Sequence, residues 1–166
     1  MVDAEAIILK TNNKFIFCLS NSAFMPYAPW RKKSGDDFLR FAAENRNKIV
    51  KIIYTQAGFY LMEDKYGAHG DRGFFKKIEI PLYTPNKEYI EGVFLYLREL
   101  EKFAKVIWVG PGVEPHLNAA KLKKLSISCV KIYPRISENT LASFVELDKY
   151  LKDKSRAGAV PYFSSI

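Results

Sequence analysis

The sequence contains no apolar run near the ~18 to 20 residues that a bilayer-spanning helix needs. Its opening, MVDAEAIILK, carries acidic residues where a secretory leader would carry basic ones. Both absences point to an intracellular, cytoplasmic chain with no membrane partner. Cysteine and histidine are scarce, with two of each among 166 residues. Cys18 and Cys129 lie far apart, each inside an apolar, strand-like segment, which suits small buried side chains better than a disulfide framework. With so few nitrogen and sulfur ligands no common zinc spacing can be assembled, so no metal is expected. Walker-type phosphate loops, nucleophile elbows and transcription-factor motifs are also missing.

What is present suits one globular domain spanning residues 1–166. Hydrophobic residues make up 48% of the chain and aromatics 14%, enough for a core at this length. The net charge of +8, from 26 basic against 18 acidic residues, suggests an anionic partner such as nucleic acid, or a lysine-rich solubilising surface. Basic residues are spread along the chain. The nearest to clusters are Arg31-Lys32-Lys33, Lys76-Lys77 and Lys121-Leu122-Lys123-Lys124.

Residues 1–47 read as a hairpin and a helix. Ala6-Ile7-Ile8-Leu9 and Phe15-Ile16-Phe17-Cys18-Leu19 are apolar strands around Asn12-Asn13, residues that tolerate positive φ in a turn. The loop from Asn21 to Gly35 interleaves aromatic and basic residues around Tyr27 and Trp30, as substrate and nucleic-acid contacts do, although packing of Trp30 on the core is the more common explanation. Ser34, with Asp36 and Asp37 in the following turn, suits a helix start. Phe38, Leu39, Ala42 and Ala43 form the apolar stripe of that helix, which ends near Asn47.

Residues 48–134 hold the core. Ile49 to Tyr54 and Phe59 to Met62 read as a second hairpin around Gly58. The charged, glycine-rich stretch Glu63 to Gly73 follows as a loop, and its His69 and Asp71 could bind a metal or transfer protons, or simply be solvated. Lys77 to Pro134 then read as strand, helix, strand, helix, strand. Pro81 interrupts the first of these, since proline removes a ladder amide. A long amphipathic helix from Asn86 to Ala104 turns Ile90, Val93, Phe94, Leu97, Leu100 and Phe103 to one face. Val106 to Val109 form a buried strand ended by Gly110-Pro111-Gly112, Pro115 opens another helix, and Ile127 to Tyr133 form a strand. In residues 135–166, Ser137 caps a last helix with Leu141, Phe144, Val145 and Leu151 inward, and the tail is either loose or a final strand.

This order, together with the proline-broken strand and the helix at Lys87-Glu88-Tyr89-Ile90-Glu91-Gly92-Val93, resembles the GNAT acyltransferase superfamily over Ile49 to Tyr133. The resemblance implies an α/β fold with a mixed, mostly antiparallel central sheet and helices on both faces. It implies acetyl-CoA or another acyl-CoA as cofactor, its pyrophosphate facing amides at a helix start, with Leu82, Lys87, Ile90, Glu91, Gly92, Val93 and Asn118 as the cofactor-binding positions. Ile90 stands where the family has its first loop glycine, and Leu122 where it often has a tyrosine acid. Acyl transfer to an amine needs a base for the ammonium and an acid for the thiolate. Glu79 is the implied base, and His116 or Tyr83 the implied acid. Tyr27 and Trp30 fall where the family builds acceptor specificity.

Two functions lead from the sequence, with a small nuclease or phosphatase using His69 and Asp71 kept as a distant third. One is transfer of an acyl group from acyl-CoA to a small-molecule or protein amine. The other is a catalytically inactive GNAT-like scaffold that binds nucleic acid or protein, with +8 supplying a salt-sensitive electrostatic attraction. Either leaves room for a homodimer.

Overall fold

The computed structural model describes residues 5–11, 14–21, 32–67, 82–112, 138–158 and 160–166, and side-chain surroundings from Gly35 onward. The chain opens with the strands β1 (Glu5–Thr11) and β2 (Lys14–Asn21), paired antiparallel as a hairpin. Helix α1 (Lys32–Glu44) leads to β3 (Ile49–Gln56), a single 3-10 turn (Gly58–Leu61) and the two-residue strand β4 (Met62–Glu63). Beyond the next described gap come β5 (Thr84–Pro85), α2 (Lys87–Glu101), β6 (Lys105–Val109), α3 (Glu138–Arg156) and β7 (Tyr162–Phe163).

Among the described residues five strands form the main sheet in the order β1-β2-β3-β6-β7, and β4 and β5 form a separate antiparallel pair. Of these five, β1 alone runs against its neighbour. β2, β3, β6 and β7 are mutually parallel, with Tyr54 beside Trp108 and Trp108 beside Tyr162 in register. The mostly antiparallel GNAT sheet expected from the sequence is therefore not the sheet observed. Each parallel strand reaches the next through a connection carrying a helix, as parallel pairing requires. Strand order advances in one direction, and right-handed crossovers then put the connecting helices on one side.

The core agrees with that placement, which corrects the expectation of helices on both faces for the described residues. Ile52, Tyr54, Val106 and Trp108 on the sheet form one buried cluster with Ala42 of α1, Ile90, Val93, Phe94, Leu97 and Leu100 of α2, and Phe144, Leu147 and Leu151 of α3. Alternate positions Ile53, Thr55, Ile107 and Val109 are only half-buried, giving the period-two pattern of a sheet covered more on one face. Trp108 is the hub. Its indole ring centre lies 5.4 Å from that of Tyr54, edge-on, and 4.9 Å from that of Phe94.

The second expected hairpin does not form either. A Cβ on Gly58 would come within 2.5 Å of Phe144 Cε1 and 3.0 Å of Pro111 Cβ, so the chain fits here only as glycine and turns tightly. Phe59 and Leu61 enter the core from that turn, and Met62 pairs with Pro85 instead of with β3. Helix α1 begins at Lys32, so Ser34 lies inside it. In α3 the inward stripe is Thr140, Ser143, Phe144, Leu147, Asp148 and Leu151, while Leu141 and Val145 are each 49% exposed. Two of the four apolar residues expected inward thus face outward. Polar residues replace them because each finds a bond: Ser143 Oγ accepts from the Tyr83 amide at 2.9 Å and donates to the Asn139 carbonyl at 2.7 Å.

The tail is a strand. Trp108 N donates to the Pro161 carbonyl at 2.9 Å and Gly110 N to the Phe163 carbonyl at 2.7 Å. The Tyr162 hydroxyl passes over Gly110, where a Cβ would sit 2.0 Å from it, and reaches Asp148 on α3. The helix and strand expected between Pro115 and Tyr133, and most of the strand broken by Pro81, lie outside the described residues.

Candidate functional site

Open parallel sheets bind ligands beyond the carboxyl ends of their strands, where connections turn into helices. Here that end is marked by Gln56, the last residue of β3. The buried Tyr54 hydroxyl donates to Gln56 Oε1, and Gln56 Nε2 donates to the Tyr89 hydroxyl at 3.4 Å, bringing the first turn of α2 to the sheet's carboxyl end.

That turn is set by Asn86. Its side-chain Oδ1 accepts from the Tyr89 amide at 2.8 Å, the bond of a helix N-cap, and its carbonyl accepts from the Ile90 amide at 3.0 Å. Its own amide donates to the Leu61 carbonyl at 2.9 Å, extending the β4–β5 pairing into the helix start. Its Nδ2 donates to Glu63 Oε2 at 2.6 Å. Asn86 is only 8% exposed, so every one of its polar groups is committed.

Beside it opens a cleft of about 700 Å³, walled by Glu63 and Thr84-Pro85 of the small sheet, Asn86, Lys87 and Glu88 at the start of α2, and Glu146, Lys149, Tyr150 and Asp153 on one face of α3. The helical spacing explains the third wall, since positions three, four and seven apart share a face. Four carboxylates and two lysines line the cleft in a chain whose net charge is +8. Asp153 is approached by Arg156 at 3.7 Å, an exposed pair of small energetic weight.

The residues implied by the GNAT resemblance are placed as follows. Lys87 is the first residue of α2 and lines the cleft. Ile90 and Val93 are fully buried in the core, and the Ile90 amide is spent on Asn86. Glu91 pairs with Lys154 of α3 at 2.5 Å, which holds the Lys154 ammonium above its ordinary pKa. Gly92 is half-buried within α2, and Leu82 is half-exposed next to the buried Tyr83. Tyr27, Trp30, His69, Asp71, Glu79, His116 and Asn118 lie outside the described residues. The cleft therefore gathers Lys87 from the expected set and adds Glu63, Glu88 and the polar face of α3. Glu146, Lys149 and Asp153 carry the only advance signal, a charged stripe at helical steps.

A second polar cluster lies behind β7. The Asp148 carboxylate, 5% exposed, accepts from the Tyr162 hydroxyl at 2.8 Å and pairs with Lys152 at 2.6 Å. Burial and the carboxylate together drive the Tyr162 hydroxyl far above its ordinary pKa, so it is neither an acid nor a nucleophile near neutrality. This cluster fastens the tail.

Among the described residues no group of three or more His, Cys, Asp or Glu side chains is arranged to hold a metal ion. No described helix is long and apolar enough to cross a membrane. In comparisons with known proteins, no family model, no curated protein and no solved structure matches the chain.

Proposed function

We propose that the domain binds a small, amine-bearing ligand in the cleft between the start of α2, the β4–β5 pair and α3. The observation that carries the reading is the charge of the walls: four carboxylates to two lysines, in a protein that is otherwise basic. Carboxylates gathered along one cleft concentrate cations and repel phosphates. The volume suits a metabolite-sized molecule, and the mixture of apolar and polar walls is typical of such sites.

An amine is also the acceptor that acyl transfer would require. Among the described residues nothing supports the cofactor half of that reaction: the sheet is mostly parallel, and Ile90 and Val93 belong to the core. The reading accordingly stops at binding of the amine.

Thermal unfolding with added ligands tests it. Putrescine, spermidine and lysine methyl ester at millimolar concentration are expected to raise Tm by mass action, and acetyl-CoA to leave it unchanged. A shift with acetyl-CoA and none with any amine would reverse the reading.

A further inference from the structure

Asparagine is one of several residues that cap a helix well, with aspartate and serine about equal to it. Only asparagine keeps two N–H donors after its oxygen has made the capping bond. At the start of α2 this spare capacity is used. Because Asn86 Oδ1 is fixed by the Tyr89 amide, Nδ2 has a single orientation, and it meets Glu63 Oε2 at 2.6 Å. Glu63 is half-buried on the two-residue strand β4, and its other carboxylate oxygen has no hydrogen-bond partner among the described residues. Behind the pair, the Tyr54–Gln56–Tyr89 chain ties the same helical turn to the core.

Resting on the amine-binding reading, we infer that Glu63 is the carboxylate that anchors the ligand's ammonium and that Asn86 is its positioning residue. Asn86 holds one oxygen of Glu63 so that the other is presented to the cleft. An ordered carboxylate loses little side-chain entropy when it binds, which a free glutamate on the surface would lose. Glu146 and Asp153, on an exposed helix face, contribute attraction without this fixation. The ligand class is therefore a primary amine or guanidine whose cation sits at the β4 end of the cleft.

The chemistry separates this role from a structural staple. Glu63→Gln keeps an acceptor for Asn86 and removes the charge. Asn86→Ser keeps the cap and removes the donor, and Asn86→Asp keeps the cap and repels Glu63. Putrescine titrated calorimetrically into each variant is expected to bind Glu63→Gln about tenfold or more weakly, the scale of a lost charge-assisted hydrogen bond. Asn86→Ser and Asn86→Asp should bind several-fold more weakly when titrated at a temperature where each variant is fully folded, and Glu101→Gln, exposed and outside the cleft, should bind as the parent does.

If the parent binds putrescine and Glu63→Gln binds it equally well, the anchor is overturned and the cleft reading stands. If Asn86→Ser and Asn86→Asp lower Tm and leave affinity unchanged, Asn86 is a staple only. If the parent fails to bind any amine, both readings fall together.

Discussion

The Tyr162 hydroxyl donates to Asp148 Oδ1 at 2.8 Å, joining the last strand to α3 across a glycine that leaves room for the ring. With Lys152 on the second oxygen, a buried carboxylate is neutralised and doubly bonded. Strand β7 has only two residues in the ladder, and this contact adds a side-chain link to the backbone bonds that hold the tail.

Its dependence on pH follows from the two shifts. Burial raises the Asp148 carboxyl, but hydrogen bonds from Lys152, Ser164 and Tyr162 outweigh it and the group titrates below its ordinary 3.8. A carboxyl depressed on folding stabilises above its unfolded value and loses that contribution as pH falls through the folded value. Tyr162 is shifted the other way, upward from 10.0, chiefly by burial and then by Asp148. Its contribution is full below the unfolded value and lost as pH rises toward the folded one. Urea unfolding from pH 3 to pH 11 should show the parent losing stability at both extremes. Tyr162→Phe should cost about 1 kcal/mol near neutrality and remove the alkaline loss, and Asp148→Ala about 3 kcal/mol by leaving Tyr162 and Lys152 unpaired.

The register of α3 gives a second expectation. Leu147→Ala and Leu151→Ala, both at fully buried positions, should each cost about 2 to 5 kcal/mol of unfolding free energy. Leu141→Ala and Val145→Ala, at half-exposed positions, should change it by less than about 0.5 kcal/mol. Denaturant midpoints of the four variants decide the matter, and equal costs at Leu141 and Leu147 would place a different face inward.

That helix also shows what was legible in the sequence. Apolar periodicity located α2, β3 and β6 within one to three residues, because Ile90, Val93, Phe94, Leu97 and Leu100 repeat at helical steps and the strands are short apolar runs. It misjudged α3, whose inward face includes Thr140, Ser143 and Asp148, polar residues whose bonds come from Tyr83, Tyr162 and other distant positions. The antiparallel pairing of β1 with β2 was legible from two short apolar runs on either side of a turn, but the pairing of the remaining strands was not. Nothing local tells Ile49 to Gln56 to pair in parallel with β2 and β6, since partners separated by a helix are chosen by crossover geometry. Lys87 and the Asn86 helix start were visible, whereas Glu63 joins them only through the contact of β4 with β5.

The most direct measurement of the central claim is the map of backbone amide chemical shifts during titration with putrescine. The account predicts saturable changes at Glu63, Thr84, Lys87, Glu88, Lys149 and Tyr150, which surround the cleft, with Leu141, Val145 and the β7 residues unmoved. Changes centred on another surface, or none at saturating amine, would contradict it.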